Sequence, residues 1–364
     1  MSGSTDTGQI VTPRAPVPVI IGHRGASGYV PEHTLAAYFL AIQQGADFVE
    51  PDLVSSKDGV LVARHENEIG ATTDVEAHPQ FAARRTTRTV DGVSVAGWFT
   101  EDFTLAELKT LRARERIADI RPANARFDGH FEIPTLDEIL DLVHGADVVR
   151  AHAARARHEP APRRIGVYPE TKHPSYFSGI GLALEEPLLA ALARHGYQGR
   201  EAPIFIQSFE TANLQRLRTL TEMPLVQLVA AAGAPFDWVA GGDSGNYAGM
   251  VTRRGLAQVA TYADAVGVEK TLVIPRTGQG RLGSATALVE DAHAEGLLVH
   301  AWTFRAENYF LPESLRRGAD PAATGDLGGE LTRYLQAGLD GVFIDQPILG
   351  VRIRDRLLIA SEPA

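Results

Sequence analysis

The sequence contains no cysteine, no long apolar run and no excess of basic residues. Without cysteine the chain cannot form disulfides, cysteine–zinc sites or a thiol nucleophile, so any metal must be bound by carboxylate, histidine or oxygen donors. No stretch approaches the roughly 20 consecutive apolar residues of a membrane-spanning helix. The 35 basic residues are outnumbered by 45 acidic ones, which argues against a general nucleic-acid binder because a phosphate backbone requires a basic surface.

The first 22 residues also lack the pattern of a signal peptide. They are polar and then proline-spaced, and their apolar run is too short and too late. As written, the chain is expected to be cytoplasmic; removal of a signal before its first residue would make it periplasmic or secreted. We expect residues 1–16 to be a disordered N-terminal segment. The sequence does not indicate an oligomeric state.

The chain does contain a regular alternation of short apolar runs and helical patterns, which is typical of repeated βα units. The candidate strands are 17–22, 47–54, 60–64, 164–169, 204–207, 225–229, 265–268, 297–302 and 341–345. The candidate helices are 35–44, 136–143, 182–195, 212–220, 256–263, 285–295 and 331–336. A chain of 364 residues with 44% hydrophobic residues is long enough to bury a large core between such units.

One pair of candidate strands, 47–54 and 60–64, is joined by a very short connection. A parallel crossover needs about a dozen residues or more, so these two segments must form an antiparallel hairpin, with Asp58-Gly59 as a favoured turn. The hairpin returns His65 to a position roughly opposite Glu50. The remaining strands predict an α/β fold, a (β/α)8 TIM barrel with a β-hairpin extension of strand 2; a doubly wound open sheet is the alternative.

The predicted connections are asymmetric in length. Those from helix to strand are short, whereas the longest ones leave strands and cover 66–133, 171–181, 233–249 and 305–329. In such barrels the strand-to-helix loops build the active face. Residues 70–133 interrupt the second βα unit as an insertion, and the basic segment 151–164 is expected to be a solvated loop. We therefore expect one TIM-barrel domain over residues 17–358.

Ionisable residues concentrate where the predicted strands end. Glu50 and Asp52 are two residues apart on one strand and so face the same side of the sheet. Others follow the first strand, the hairpin and the next barrel strand: His23, Arg24, His65, Glu170 and Lys172. Singly, each can be an ordinary hydrogen-bonding group, ion pair or surface histidine. Their concurrence on one predicted face indicates a catalytic site.

Three carboxylates that converge in a barrel mouth repel one another unless a cation lies between them. Oxygen ligands select a hard divalent ion, Ca²⁺ or Mg²⁺, over zinc. Such an ion can bridge a phosphate while Arg24 and Lys172 offset the remaining charge. Two histidines, with an ordinary pKa of roughly 6.5, can serve as base and acid. The set predicts metal-assisted cleavage of a phosphate ester.

Residues 23–66 resemble the opening signature of glycerophosphodiester phosphodiesterases. They contain, in order, HRG, PE-x-T, G-A-D-x-x-E-x-D, a K-D-G turn and a histidine followed by an acidic residue. Later segments resemble further motifs of the family: YPETK at 168–172, FIQSF at 205–209, HAWTFR at 300–305 and DGVFIDQP at 340–347. The resemblance runs over residues 18–350 and is most specific in residues 23–66. It is closest to the secreted or periplasmic branch that releases glycerol 3-phosphate.

The resemblance implies a phosphodiesterase that hydrolyses glycerophosphodiesters, such as glycerophosphocholine or glycerophosphoethanolamine, to an alcohol and sn-glycerol 3-phosphate. His23 and His65 would be its acid–base pair. One divalent cation would be bound by Glu50, Asp52 and Glu170. The branch implies Ca²⁺, with Mg²⁺ as the alternative. The partner would be a small-molecule substrate, without nucleic acid.

The resemblance also implies that Arg24 and Lys172 contact the phosphate and that Phe209 and Trp302 line the glycerol or leaving-group side. Two positions depart from the family pattern. Glu66 stands where aspartate usually follows the histidine, and Ile344 stands where threonine usually precedes the last aspartate. Neither departure replaces a proposed ligand or base, although the first can alter the hydrogen bond that orients the preceding histidine.

Two other functions stay open at this point. Phospholipase D-type activity on lysophospholipid or sphingomyelin would favour an apolar rim on the mouth loops, such as Tyr176, Phe177 or Trp238. A non-catalytic binder of teichoic-acid-type polymers would lack one of the ligands or histidines, and none is missing here. The attacking group can be water or the substrate's own glycerol 2-hydroxyl.

Overall fold

The computed structural model describes residues 17–361, so the predicted disordered segment 1–16 lies outside the described residues. The strands in this range are β1 (Val19–His23), β2 (Phe48–Glu50), β3 (Asp52–Ser55), β4 (Leu61–Ala63), β5 (Thr86–Val90), β6 (Val93–Gly97), β7 (Gly166–Val167), β8 (Glu170–Thr171), β9 (Ile206–Ser208), β10 (Leu225–Val229), β11 (Ala265–Glu269), β12 (Leu298–Phe304) and β13 (Gly341–Ile344). The α-helices are α1 (Leu35–Gln43), α2 (Leu105–Leu108), α3 (Leu136–Ala156), α4 (Pro174–Gly179), α5 (Glu185–Arg194), α6 (Thr211–Leu220), α7 (Phe236–Gly241), α8 (Tyr247–Met250), α9 (Arg253–Val259), α10 (Leu288–Ala294), α11 (Leu327–Gln336) and α12 (Pro347–Ser361).

One curled sheet of 11 strands has the order β4-β3-β8-β9-β10-β11-β12-β13-β1-β2-β7. Its pairs are parallel except for the antiparallel pair of β3 and β4. β2 and β3 are separated along the chain only by Pro51, and β7 and β8 only by residues 168–169. Because β2 pairs with β7 and β3 pairs with β8, the sheet curls round on itself. The fold is α/β and TIM-barrel-like, not a doubly wound open sheet.

The predicted hairpin is present. Leu53 pairs with Ala63, and the Arg64 N–H donates to the carbonyl of Asp52 over 3.0 Å, so His65 follows directly at the end of the sheet. Each candidate strand and helix has a counterpart, and the bounds differ by a few residues in all of them except the helix predicted at 136–143. No helix in residues 17–361 combines the length and apolar character that a membrane crossing requires.

The expectation of a solvated loop over 151–164 is wrong in its first half. α3 continues to Ala156 instead of ending near residue 143. Four alanines and Arg155, all strong helix formers, lie between residues 151 and 156, and Ala154 is buried. The helix ends before His158, which adopts a positive φ of 59°.

The strands of the 11-stranded sheet are almost entirely buried on both faces, which explains why most of them are nearly continuous apolar runs. In β1, Ile20 packs in the outer layer towards the helices, whereas Val19 and Ile21 belong to a separate interior cluster. The other buried members of that interior cluster are Tyr168, Val226, Ala265, Leu298 and Phe343. Alternation along each strand therefore decides which side chains enter the barrel interior.

Residues 66–133, called the 66–133 segment below, connect the end of the hairpin to α3. The segment contains the β5–β6 hairpin and α2. Phe81, Trp98 and Phe103 of this segment are buried in the same core as the outer layer of the sheet. The segment is therefore packed against the curled sheet, close to where the strands end.

Candidate active site

Polar residues occupy interior positions directly above the apolar interior cluster. His23 follows Ile21 by two residues, and Glu50 follows Phe48 in the same way, so both share the interior face. They line a cavity of about 360 Å³. Six more of the predicted site residues line the same cavity: Arg24, Asp52, His65, Glu170, Phe209 and Trp302. Lys172, the remaining one, lines the neighbouring cavity.

The carboxylates of Glu50, Asp52 and Glu170 converge, with one oxygen of each lying within 4.8 Å of the others. Burial, and then the charges of the other two carboxylates, raises the pKa of Glu50 well above its usual range. Burial and Asp52 raise the pKa of Glu170 to about 8 against the opposing charge of Lys172. Burial favours a raised pKa for Asp52 too, but Lys172 and the hydrogen bond with His33 outweigh it and hold the pKa well below its usual range.

The surroundings of these carboxylates fit a hard divalent cation. Glu50 accepts hydrogen bonds from the Arg24 N–H over 2.8 Å and from Gln207 Nε2 over 3.0 Å, which fixes the carboxylate plane. The Oε1 atom of Gln207 is buried and has no hydrogen-bond partner among the described residues. The three converging carboxylates form an all-oxygen donor set, which Ca²⁺ and Mg²⁺ prefer, and Gln207 lines the same cavity.

A tight turn explains the HRG motif at the end of β1. Arg24 has a φ of 57° and Gly25 a φ of 85°. A Cβ atom on Gly25 would lie 2.5 Å from the carbonyl carbon of Ala37, so this position requires glycine. The turn aims the Arg24 N–H at Glu50 and brings α1 close to the site.

The Arg24 guanidinium is surrounded by carboxylates. Its Nη1 lies 2.9 Å from both oxygens of Glu32, and its Nε lies 3.3 Å from Asp52 Oδ2. Burial opposes the charge, but Glu32 and Asp52 outweigh burial and raise the pKa of Arg24 above its usual range. The arginine is therefore a fixed positive charge beside the triad.

The His23 imidazole is oriented by Asp345 at the end of β13. Its Nδ1 lies 2.6 Å from Asp345 Oδ1, which leaves Nε2 as the basic nitrogen on the cavity side. Burial, and then the charge of Arg24, lowers the pKa of His23 to about 4 despite the neighbouring carboxylate. His23 is therefore neutral at pH 7 before an anion enters the cavity.

The His65 imidazole is held in a similar way by the residue that follows it. Its Nδ1 lies 2.7 Å from Glu66 Oε1, and its Nε2 lies 3.4 Å from Lys172 Nζ. Burial, and then Arg24 and Lys172, lowers the pKa of His65 to about 3. Lys172 itself is 3.0 Å from Glu170. Two neutral imidazoles thus face one acidic triad.

Several residues of the site were not identified from the sequence. His33 is fully buried and lies 2.9 Å from Asp52 Oδ2, and Glu32 pairs with Arg24. Gln207 and Asp345 orient Glu50 and His23. Glu32 and His33 lie inside the PE-x-T motif, and Gln207 is two residues after an interior phenylalanine, so motif membership and strand alternation are the signals that could have indicated them.

Phe209 and Trp302 form an aromatic wall of the cavity. Their ring centroids are 5.8 Å apart with an interplanar angle of 84°, and Trp302 Nε1 donates to the carbonyl of Gly267 over 2.9 Å. Lys270, whose Nζ donates to Glu330 over 2.8 Å, lines the same cavity. The cavity therefore combines an acidic end with an apolar wall and a buried lysine.

The TIM-barrel-like fold and the acidic, histidine-flanked cavity fit a phosphate-ester hydrolase. The family model described as "Glycerophosphoryl diester phosphodiesterase family" matches residues 23–349. The chain belongs to this family, and it is an enzyme that hydrolyses phosphoric diesters.

Similar proteins agree with this assignment. A glycerophosphodiester phosphodiesterase of Arabidopsis thaliana is 34% identical over 341 residues, which cover 90% of this chain and 83% of the relative. A glycerophosphodiester phosphodiesterase of Haemophilus influenzae is 28% identical over 357 residues, which cover 92% of this chain and 88% of the relative.

Solved structures share the fold at lower sequence identity. The crystal structure of a glycerophosphodiester phosphodiesterase from Agrobacterium tumefaciens has a TM-score of 0.55 at 20% identity and covers 92% of this chain and 99% of its own. A phosphodiesterase from Oleispira antarctica, solved with the product sn-glycerol-3-phosphate, has a TM-score of 0.58 at 21% identity. The match covers 93% of this chain and 97% of the Oleispira chain.

Proposed function

We propose that this enzyme hydrolyses glycerophosphodiesters, such as glycerophosphocholine or glycerophosphoethanolamine, to an alcohol and sn-glycerol 3-phosphate. The observation that carries the proposal is the convergence of three carboxylates and two carboxylate-oriented imidazoles on one cavity. His23 and His65 are the acid–base pair. The catalytic unit is one domain over residues 17–358, with residues 70–133 as an insertion.

One divalent cation, Ca²⁺ or alternatively Mg²⁺, is bound by Glu50, Asp52 and Glu170. When bound, it supplies a positive charge that stabilises the phosphate and the negative charge that develops on it. Gln207 orients Glu50, and Lys172 lowers the cost of keeping the neighbouring carboxylates ionised. These contacts support a cation site, since buried carboxylates with raised pKa values gain most from a cation.

The histidines exchange protons with the substrate at Nε2. Because Nδ1 of His23 faces Asp345 and Nδ1 of His65 faces Glu66, each ring keeps Nε2 for the reaction. One imidazole removes the proton of the attacking oxygen, which belongs to water or to the glycerol 2-hydroxyl, and the other protonates the leaving alkoxide. An incoming phosphodiester anion offsets the charges of Arg24 and Lys172, so it raises the pKa of both histidines towards neutrality.

Arg24 and Lys172 contact the phosphate in this proposal. Nη1 and Nε of Arg24 already face Glu32 and Asp52, so Nη2 is the donor left for a substrate oxygen. Phe209 and Trp302 line the apolar side of the bound substrate. The phospholipase D alternative gains no support from Phe177, because that residue is buried in the core and cannot form an apolar rim.

The test measures glycerol 3-phosphate released from glycerophosphocholine by the purified protein with Ca²⁺, Mg²⁺ or chelator. We expect chelator to abolish turnover and a divalent cation to restore it. His65→Ala should lower kcat by about 10³-fold without lowering Tm, since a general acid or base contributes about 10²–10⁴-fold. The matched control is His144→Ala, because His144 is exposed.

Two results would contradict the proposal. Near-wild-type turnover of His65→Ala would remove the histidine from the mechanism, and turnover unaffected by chelator would remove the cation. Choline release from a lysolipid in preference to glycerophosphocholine would instead support the phospholipase D-type activity.

A further inference from the structure

The 66–133 segment supplies side chains that reach the back of both imidazoles. Glu66 and Asp91 lie on the His65 side, and Arg121 lies on the His23 side. Asp91 and Arg121 are not among the residues that line the main cavity. Any effect of Asp91 and Arg121 on the cavity passes through the residues that they contact.

On the His65 side, three polar contacts follow one another. His65 Nδ1 lies 2.7 Å from Glu66 Oε1. The other oxygen of Glu66 accepts from His173 Nε2 over 3.0 Å, and His173 Nδ1 donates to Asp91 Oδ2 over 2.6 Å. Glu66 can bridge two histidines because its two oxygens face in different directions along this chain.

A second histidine, His173, lies in the middle of this series of hydrogen bonds and carries a positive charge. Burial and Lys172 oppose a charge on His173, but the hydrogen bonds with Asp91 and Glu66 outweigh them and raise its pKa to about 9. Both ring nitrogens therefore carry protons at neutral pH and donate. Asp91 is fixed in turn, because it lies with Gly92 in the two-residue turn of the β5–β6 hairpin, where Val90 pairs with Val93.

On the His23 side, a buried arginine takes the corresponding position. Arg121 Nη2 donates to Asp345 Oδ2 over 2.5 Å, and Asp345 Oδ1 accepts from His23 Nδ1 over 2.6 Å. Arg121 is itself held by Glu307 at 2.6 Å and by the carbonyl of Ser27 at 3.0 Å. Its side chain is only 5% exposed, so these contacts leave it a single position.

We propose that the 66–133 segment positions both catalytic histidines: Asp91 orients His65 through His173 and Glu66, and Arg121 orients His23 through Asp345. This inference rests on the proposed function. The residues involved are positioning residues, because they hold the imidazoles without contacting the substrate. Each chain ends at Nδ1, so each fixes the ring plane and the tautomer that leaves Nε2 for the reaction.

The first experiment breaks the series of hydrogen bonds from His65 through Glu66 and His173 to Asp91 without disturbing the backbone. Asparagine tolerates a positive φ and Asn-Gly is a favoured hairpin turn, so Asp91→Asn and His173→Asn suit positions with φ of 47° and 49°. We expect His173→Asn to lower kcat about tenfold, in line with the 10–100-fold cost of removing such outer partners. Asp91→Asn should have a smaller effect, and KM should stay within about twofold in both variants.

The second experiment breaks the His23 chain. Arg121→Gln should lower kcat by about 10–100-fold, and Arg121→Lys, which keeps a positive charge beside Asp345, should recover part of the loss. In the double variant His173→Asn with Arg121→Gln the two fold-changes should multiply, because each acts on a different histidine. The matched control is Arg84→Gln, which removes the ion pair of Arg84 with Glu107 in the same segment but touches neither chain.

The outcomes separate the inference from the function on which it rests. A wild-type enzyme that hydrolyses no glycerophosphodiester overturns the proposed function and this inference with it. An active wild type with kcat unchanged in His173→Asn and Arg121→Gln overturns the positioning role alone. An equal loss of kcat in Arg84→Gln would also overturn the positioning role. So would a loss of kcat in His173→Asn or Arg121→Gln that is accompanied by a matching fall in Tm, because either result would show a purely structural role.

Discussion

Glu50 lies between two hydrogen-bond donors and two other carboxylates. The Arg24 N–H and Gln207 hold its oxygens, while burial and then Asp52 and Glu170 raise its pKa well above the usual range. Without a cation, the charge of Glu50 is therefore a source of repulsion within the triad. With a cation, the same charge contributes to binding.

Because Glu50 repels its neighbours without a cation and helps to bind one when it is present, we expect Glu50→Gln to affect thermal stability differently in chelator and in Ca²⁺. The Tm of the protein in chelator should stay unchanged or rise, because a neutral amide removes the repulsion of Glu50 with Asp52 and Glu170. The rise in Tm on adding Ca²⁺ should largely disappear, since one charged ligand is lost. Thermal unfolding with chelator and with a Ca²⁺ series measures both.

The matched control is Glu269→Gln. Glu269 lines the same cavity but its carboxylate accepts from the Thr271 N–H and lies outside the triad. It should keep the Ca²⁺ response of the wild type. An undiminished Ca²⁺ response in Glu50→Gln would place the cation elsewhere.

The residues of the site differ in how well they could be predicted from the sequence. Glu50 and Asp52 could be predicted because strand alternation acts over two residues. Strand alternation also places Gln207 on the interior face, but the contacts of Gln207 with Glu50 and of Asp345 with His23 could not be predicted, since they join positions 157 and 322 residues apart. Arg121 lies in an irregular part of the 66–133 segment, where no periodic pattern indicates which way a side chain points.

At the scale of elements, two turns with positive φ carry the motifs of the site. Gly25 follows β1 and has a Cβ position 2.5 Å from Ala37. Gly59 lies in the turn between β3 and β4 and has nothing within 4 Å of its Cβ position. Their φ values are similar, 85° and 78°, so the two positions differ mainly in the space around them.

Alanine substitutions at these turns should therefore differ in cost. Gly59→Ala should lose about 1 kcal/mol of unfolding free energy, the cost of a positive φ for alanine. Gly25→Ala should lose about 1–3 kcal/mol more, because β1 and α1 must also move apart. Urea unfolding of the two variants measures the difference. Equal losses would show that the close approach of Ala37 does not determine this turn.

The sequence predicted the elements of the sheet better than the length of the helices. Most strands of the 11-stranded sheet are apolar runs whose two faces are both buried, and the short connection after β3 allows only a hairpin. α3 extends beyond its apolar positions because alanine and arginine continue the helix over polar surface. A hydrophobic pattern alone therefore underestimates a helix whose last turns face solvent.

At the scale of the whole molecule, 45 acidic residues outnumber 35 basic ones, and several acids around the site are paired with cations. Glu66 and Asp91 share the cationic His173, and Asp345 contacts Arg121 and Arg305. These pairs join the 66–133 segment to the ends of the barrel strands. The stability of the fold is therefore linked to the protonation of the groups that hold this segment.

His173 makes this linkage measurable as a loss of stability at alkaline pH. Its pKa rises from 6.5 to about 9 on folding, because the hydrogen bonds with Asp91 and Glu66 outweigh burial and the charge of Lys172. A raised pKa means that the stabilisation is complete below pH 6.5 and is lost as the pH rises through 9. The shift corresponds to about 3 kcal/mol of unfolding free energy.

Glu170, with a pKa of about 8, titrates in the same range, so the wild type must be compared with His173→Asn. Their difference in unfolding free energy should be largest at or below pH 6.5, should shrink between pH 6.5 and 9, and should be small above pH 9; a difference independent of pH would show that His173 is not a buried cation in the folded protein.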